Sequence, residues 1–356
     1  MKKENGVLLD VTDKDLTLLK ANPYQFWEDV SEIGFAAFRG LENLTSISIP
    51  KGVKAIGPQA FSECWKLRTV SLPEDLTSIG DLAFWNCEHL ISISLPKDLA
   101  TIGYGAFLKC KALEKIEIPE GILSIGGEAF SDCSNLTSII IPEGIKAIGF
   151  ETFFSSENLR EVTIPKTVTT IKRRAFSDCE DLKSISIPEG VTLISEEAFS
   201  GCRALETVKL PSTVTSIENG AFSNCISLKS IELPEGLTKI GQTAFCFCWE
   251  LKSISIPASI KSIGNLAFSN CSELMEIKIG DSVFKRNKEG FWETTREGQV
   301  ITINSKINSK PFYEEINNFI SQNISQTETV LAKAAVTAGS ASQNFENPRA
   351  ISAGKE

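Results

Sequence analysis

The chain has 356 residues, of which 42% are hydrophobic and 23% charged, and its formal net charge is −9. This composition is typical of a folded, soluble protein, and the acidic balance argues against nucleic acid as a partner, because phosphate binding relies on clustered Lys and Arg. No run of 18 apolar residues is present, so no membrane span is expected.

Residues 1–29 precede the repeating part of the chain and are predicted to be an N-terminal cap. The segment "GVLLDV" is predicted to be a strand, and an amphipathic helix is predicted to begin near Asp13, with Leu16 and Leu19 facing inward. Phe26 and Trp27 are expected to cover the first repeat.

Residues 30–280 contain a repeat of 23 residues. Each copy has a Phe, with an Ile five positions before it and a Leu six positions after it. The eleven phenylalanines are Phe38, Phe61, Phe84, Phe107, Phe130, Phe153, Phe176, Phe199, Phe222, Phe245 and Phe268. A fixed period of this length is the signature of a solenoid, in which each unit buries its apolar face by stacking on its neighbours.

The two halves of the repeat have different patterns. In "LTSISIP", Ile47 and Ile49 alternate with Ser46 and Ser48, which predicts a short strand with one buried face, and Pro50 ends it. The segment "IGDLAFWNC" predicts a tight turn followed by one short helical or 3₁₀ turn. Connections between parallel strands are right-handed, so an α/β solenoid of that hand is expected.

The combined pattern "L-x-x-I-x-I-P" and "I-G-x-x-A-F-x-x-C" resembles the BspA-like, treponemal-type leucine-rich repeat family over residues 30–280. The resemblance implies a right-handed leucine-rich-repeat horseshoe of about eleven repeats, capped at both ends. It also implies a role in protein or surface recognition and does not imply a reaction.

Nine of the ten cysteines lie three positions after the repeated Phe. This phase predicts a buried, reduced ladder, since free Cys packs as a small hydrophobe, and free thiols suit a reducing compartment. Cys87 lies two residues before His89, the only histidine, which suggests a catalytic dyad, but His89 occupies a variable position of the repeat. Cys246 and Cys248 are too few for a structural zinc site. We therefore expect no catalytic residues, no metal, no cofactor and no enzymatic activity.

Residues 281–325 are predicted to be a C-terminal cap of strands and one amphipathic helix; a separate partner-binding helix is the alternative. The apolar stripe of that helix is Phe312, Ile316, Phe319, Ile320 and Ile324. Residues 326–356 are rich in Ala, Ser and Thr and are predicted to be a disordered tail, similar to the translocation signals of bacterial type IV effectors.

Small hydroxyl side chains dominate the exposed strand positions, and larger side chains collect near the middle of the array, where the repeat is also most irregular. We expect a protein partner to bind there. The predicted contact residues are Lys115, Glu117, Ile140, Phe154, Glu161, Arg173, Arg174 and Lys209.

The predicted function is a non-catalytic protein interaction scaffold, a monomer, acting as a bacterial effector in a host cell. Asp10 and Asp13 interrupt the first apolar patch, so no classical signal peptide is recognised, which favours the cytoplasm of the producing cell or translocation into a host. The alternative is a surface adhesin for host matrix protein or glycan, and an enzyme within the last 77 residues is disfavoured because that region has no catalytic motif.

Overall fold

The computed structural model describes residues 1–296, 299–303 and 305–322. The repeats form a solenoid of stacked coils, with one 23-residue repeat in each coil, which confirms the predicted solenoid of leucine-rich repeats. Successive coils are joined by two rows of short parallel strands.

The first row lies just before the repeated proline. Its strands are Ser46–Ser48, Thr69–Ser71, Ser92–Ile93, Ser138–Ile140, Glu161–Thr163, Ser184–Ser186, Thr207–Lys209, Ser253–Ile256 and Glu276–Ile279. Ile47 is buried between exposed Ser46 and Ser48, as the alternation predicts. Register is kept between coils, since Ser46 pairs with Thr69 and the next residues follow in step.

The second row lies just before the glycine of "IG" and contains two-residue strands that the sequence pattern did not indicate. They are Glu32–Ile33, Ala55–Ile56, Ser78–Ile79, Thr101–Ile102, Ser124–Ile125, Ala147–Ile148, Thr170–Ile171, Leu193–Ile194, Ser216–Ile217, Lys239–Ile240 and Ser262–Ile263. Each pairs in parallel with at least one neighbour, as Ile56 does with Ile79, and the row divides into two ladders between Ser124–Ile125 and Ala147–Ile148.

The segment around each repeated Phe is a series of turns, which corrects the predicted helical or 3₁₀ turn. The residues two before and two after the Phe have positive φ, for example 57° at Gln59 and 63° at Glu63, whereas helices need negative φ throughout. This geometry directs alternate amides towards the next coil. Thus the N–H of Phe61 donates to the carbonyl of Ala83 at 2.8 Å, and a helix would use that N–H within the coil.

The repeated phenylalanines stack into one ladder through the core. Consecutive ring centroids lie 4.8–5.7 Å apart, and their planes are within 17° of each other. Every ring from Phe38 to Phe245 is fully buried. Each ring therefore buries both its faces against rings of other coils, apart from those at the two ends.

The cysteines form a second ladder beside the rings. Each of the nine repeated thiols donates a hydrogen bond to the carbonyl of the Phe in the preceding coil, with Sγ–O distances of 2.9–3.2 Å. Ser156 replaces Cys in one coil and donates from Oγ to Phe130 at 2.9 Å. The position thus selects a small side chain that can donate a hydrogen bond.

Residues 1–29 contain the strands Lys2–Glu4 and Val7–Asp10 and the helices Asp15–Ala21 and Pro23–Trp27. Leu8 pairs with Ile33, so the second row continues into this region as a further partial coil. The rings of Phe26 and Trp27 lie 6.2 Å from that of Phe38 and cover the first end of the phenylalanine ladder.

After the last repeat, the strands Ser282–Arg286, Trp292–Arg296 and Gln299–Ile303 extend the first row as antiparallel hairpins, and a helix spans 310–322. Phe312, Ile316 and Ile320 are buried, and Phe319 packs partly buried against the core. Ile324 and the predicted tail, 326–356, lie outside the described residues.

Polar side chains of this C-terminal region take the place of a next coil. Tyr313 Oη accepts the N–H of Phe268 at 2.9 Å. In the preceding coil, the equivalent N–H of Phe245 donates to the carbonyl of Ala267. Asn317 likewise accepts the N–H of Ile263 and donates to its carbonyl, both at 2.8 Å. These contacts satisfy backbone groups that the end of the repeat leaves without partners.

Replacing Tyr313 with Phe is predicted to lower the free energy of unfolding by about 1–3 kcal/mol, because the buried N–H of Phe268 loses its acceptor. The matched control is Tyr104→Phe, which removes a hydroxyl that bonds Glu128 at an exposed position. Urea denaturation measures both variants. Equal losses of unfolding free energy in the two variants would show that the Tyr313 hydroxyl does not substitute for the backbone carbonyl of a further coil.

The thiol ladder predicts a loss of stability at alkaline pH. Burial raises the pKa of Cys64 from its ordinary 9.0 to about 12, and it raises the pKa of Cys87, Cys110 and Cys133 well above the ordinary value. The folded thiols stay protonated while those of the unfolded chain ionise above pH 9. Each shifted thiol then removes about 1.4 kcal/mol of stability per pH unit, until its folded pKa is reached.

The triple variant with Cys87, Cys110 and Cys133 replaced by Ser is therefore expected to lose stability less steeply than the parent chain above pH 9. The slopes should differ by about 4 kcal/mol per pH unit, three times the value for one thiol. Denaturant titrations between pH 8 and 11 give both slopes, and ionising Lys and Tyr contribute to each alike. Identical slopes would contradict a buried, protonated ladder.

Candidate interaction surface

The exposed side chains of the first row form a flat surface, which we call the strand face. Its N-terminal part carries small hydroxyls, including Ser46, Ser48, Thr69 and Ser71, all exposed beside buried aliphatic residues. Stacking of the coils holds these side chains in two lines. Such a face can contact a partner over several coils but provides no enclosed site for chemistry.

Four predicted contact residues lie together on the middle of the strand face. Lys115, Glu117, Ile140 and Glu161 are exposed and belong to three successive coils. The side chain of Ile140 is 66% exposed, and its backbone pairs with that of Thr163. The arrangement is an aliphatic side chain among charged ones, which is the composition of an anchor with a polar rim.

Lys209, another predicted contact residue, also lies on the strand face. Its side chain is exposed, and its backbone pairs with that of Ser186. Lys209 lies two coils beyond Glu161. It is therefore separate from the group around Ile140.

Phe154, Arg173 and Arg174 lie on the turns around the phenylalanine ladder and not on the strand face. The guanidinium of Arg174 lies 4.3 Å from the ring centroid of Phe154 and 2.6 Å from Glu151. Glu197 lies 3.3 Å away on the other side. Phe154 is half-buried, and Arg174 already has partners within the chain.

Arg173 is more exposed but also has acidic neighbours. Its guanidinium lies 3.7 Å from Glu196 and 4.0 Å from Glu197. The positive charge that the sequence "IKRRAF" places on this turn is thus largely balanced by the next coil.

Cys87 and His89 do not form a dyad. The thiol of Cys87 is buried and donates to the carbonyl of Phe61 at 3.2 Å. The Nδ1 atom of His89 lies 2.7 Å from the carbonyl oxygen of Trp65. Each side chain is engaged by a different backbone carbonyl, so no nucleophile and base are brought together.

All ten cysteines are free and buried. Reactivity belongs to the thiolate, and burial raises the pKa of thiols such as Cys64 and Cys87, which keeps them protonated at neutral pH. Shielded thiols are inert in reducing and oxidising compartments alike, so the ladder does not discriminate between them. In the described ranges, no three or more Cys, His, Asp or Glu side chains are grouped as metal ligands.

A groove that the sequence did not indicate lies at the N-terminal end of the strand face. It has a volume of about 510 Å³ and runs between the helix Asp15–Ala21 and the first two coils. We call it the N-terminal groove. Leu16, Leu19 and Lys20 of the helix line one side, and residues of both first-row strands line the other. The sequence pattern predicted the helix but not its placement beside the strand face.

Among residues 1–296, 299–303 and 305–322, no helix combines the length and apolar character needed to span a bilayer. No curated protein sequence is significantly similar to the chain.

Solved structures that match the chain come from several bacteria. A leucine-rich repeat protein of Bacteroides ovatus is 32% identical, covers 70% of this chain and 82% of its own, and has a TM-score of 0.40. A leucine-rich cell surface protein of Faecalibacterium prausnitzii is 27% identical over 70% and 83% of the two chains, with a TM-score of 0.34. The pneumococcal vaccine antigen PcpA is 24% identical over 70% and 73%, with a TM-score of 0.51.

The sequence profile of the BspA type leucine-rich repeat region matches residues 20–135, 100–213 and 192–318. These matches span most of the chain and include all the coils described above. The chain belongs to the BspA-type leucine-rich repeat family.

Proposed function

We propose that the protein is a non-catalytic scaffold that binds another protein through the middle of its strand face. The observation that carries the proposal is Ile140, a large aliphatic side chain that is 66% exposed within lines of small hydroxyl and charged residues. Binding energy at protein interfaces is concentrated in a few side chains, and an exposed apolar residue on a rigid surface is suited to that role.

The charged neighbours of Ile140 support this choice of surface. Glu117 and Glu161 provide carboxylates on the adjoining coils, and Lys115 provides an amine, without any ion pair to another described residue. Unpaired charges around an apolar anchor favour a partner with complementary charges, because such a rim excludes wrong partners.

The group of Phe154, Arg173 and Arg174 is a second, separate part of the proposed contact region. Its charges are paired within the chain, and a partner would have to displace Glu151 or Glu197 to use them. The strand face around Ile140 is therefore the primary contact surface, and Arg174 packs over the half-buried ring of Phe154.

The compartment in which the scaffold acts is a further part of the proposal, and we retain an effector in a host cell ahead of a surface adhesin. Burial keeps the free thiols inert in either compartment, so they do not separate the two roles. Labelling intact producing cells with a membrane-impermeant amine reagent separates the two roles. An effector stays unlabelled inside the cell, whereas an adhesin is labelled.

Changing Ile140 to Asp is predicted to weaken binding of a captured protein partner at least tenfold, because losing a central anchor costs about 2 kcal/mol or more. Proximity labelling identifies the partner, and titration calorimetry with the purified partner measures the affinity. Circular dichroism should show the parental fold, since the residue is exposed.

The control is Leu123→Asp, because Leu123 is 75% exposed but lies outside the first-row strands. It should leave the affinity unchanged. Reversing the charge of both Arg173 and Arg174 tests the second group in the same assay. If the affinity is unchanged by Ile140→Asp and by the arginine reversal, the proposed contact region is wrong.

A further inference from the structure

Two tryptophans, Trp65 and Trp249, occupy the same position of the repeat, four residues after the repeated Phe. The backbone carbonyl of each accepts an N–H of the next coil. Trp65 accepts that of His89 at 3.3 Å, and Trp249 accepts that of Glu273 at 3.2 Å. The two indoles therefore start from equivalent backbone positions, and the side chains beside them can be compared directly.

At Trp65 the chain itself supplies a cation. The ammonium nitrogen of Lys66 lies 4.5 Å from the centroid of the indole. The ring of His89, from the next coil, has its centroid 6.3 Å from that of Trp65. All three side chains are partly buried. Because the negative face of an indole attracts a cation, Lys66 shows which kind of group this position of the repeat accommodates.

At Trp249 both of these neighbours are exchanged for acidic residues. Glu250 takes the place of Lys66, and Glu273 takes the place of His89. No cation of the described residues lies over the ring of Trp249, which is 49% exposed. Glu250 and Glu273 are exposed, and neither carboxylate makes an ion pair within the described part of the chain. The position thus presents an open aromatic ring beside two carboxylates.

Two lysines near Trp249 in the repeat do not fill the site. The amine of Lys229 lies 2.8 Å from Glu206, whose hydrogen bond raises the pKa of Lys229, and Glu250 adds a smaller effect. Lys252 is exposed three residues after Trp249 and does not lie over its ring. The charge around the indole therefore complements a cation that comes from another molecule.

We propose that Trp249 binds a lysine side chain of a protein partner, with the ammonium over the indole and beside the carboxylates of Glu250 and Glu273. The ring and the carboxylates favour the same charge, and the methylene stem of the lysine gains apolar contact with the indole. The site lies five coils beyond that of Ile140 and is independent of the contact surface there.

NMR titration of the indole N–H signals of the full chain tests the proposal. The chain has five tryptophans, and the signal that is lost in Trp249→Leu is that of Trp249. The probe is the peptide Gly-Lys-Gly-Lys-Gly, blocked at both ends, and its control has both lysine amines acetylated. The lysine peptide should shift the Trp249 signal saturably, and the acetylated peptide should bind about tenfold more weakly. Absence of a saturable shift, or equal affinities, overturns the proposal.

Matched variants test the placement of the amine, with affinities read from the fluorescence anisotropy of the labelled lysine peptide. Trp249→Leu should weaken binding about tenfold. Trp65→Leu is the control and should leave the affinity unchanged, because that ring already holds Lys66. Glu250→Lys should abolish binding, since it places an amine beside the indole as Lys66 does at Trp65.

Circular dichroism checks the fold of each variant. Unchanged affinity in a folded Trp249→Leu protein would assign peptide binding to the net charge of −9 and overturn the proposal. Ile140→Asp should bind the peptide as the parent chain does, and a loss there would overturn the independence of the two sites.

Discussion

Contact between the phenylalanine rings of successive coils is the interaction on which the rest of the structure depends. A single 23-residue coil cannot bury its own ring, and the ring is covered only when coils lie on both sides. Centroid spacings of 4.8–5.7 Å are close to the distance between hydrogen-bonded strands, so ring stacking and strand pairing are satisfied together. The same requirement explains why Phe26 and Trp27 cover Phe38, and why the C-terminal helix covers the last coil.

The backbone between the strands is shaped by the need to bond the next coil. Positive φ values on both sides of each ring turn alternate amides out of the coil, and the repeated thiol donates back to the preceding one. Leu41 occupies the thiol position in the first coil, where no earlier ladder Phe exists to accept a hydrogen bond. Ser156 occupies it within the array and keeps the bond. The ladder is therefore a structural feature of stacking, and its chemistry is that of a donor and not of a nucleophile.

The strands, the inward phenylalanines and the thiol ladder were predictable because they follow from a period that repeats eleven times. The turns were not, because residues as different as Glu63, Lys109 and Gly201 adopt the same positive φ, so no residue type marks the position. The groove at Lys20 and the pairing of Arg174 with Phe154 were also missed. Both depend on contacts between side chains in variable positions, which a repeat pattern does not describe.

A rigid array of coils presents variable side chains at fixed spacing, and both proposed sites are places where such side chains depart from their equivalents in other coils. The fixed spacing of the coils depends on the contact between successive phenylalanine rings. The most direct test is the free energy of unfolding of Phe130→Ala, measured by urea denaturation beside the exposed control Leu123→Ala. Loss of a central ring should cost about 3–5 kcal/mol, and the control should change little. A loss below about 1 kcal/mol for Phe130→Ala would contradict a solenoid held together by its phenylalanine ladder.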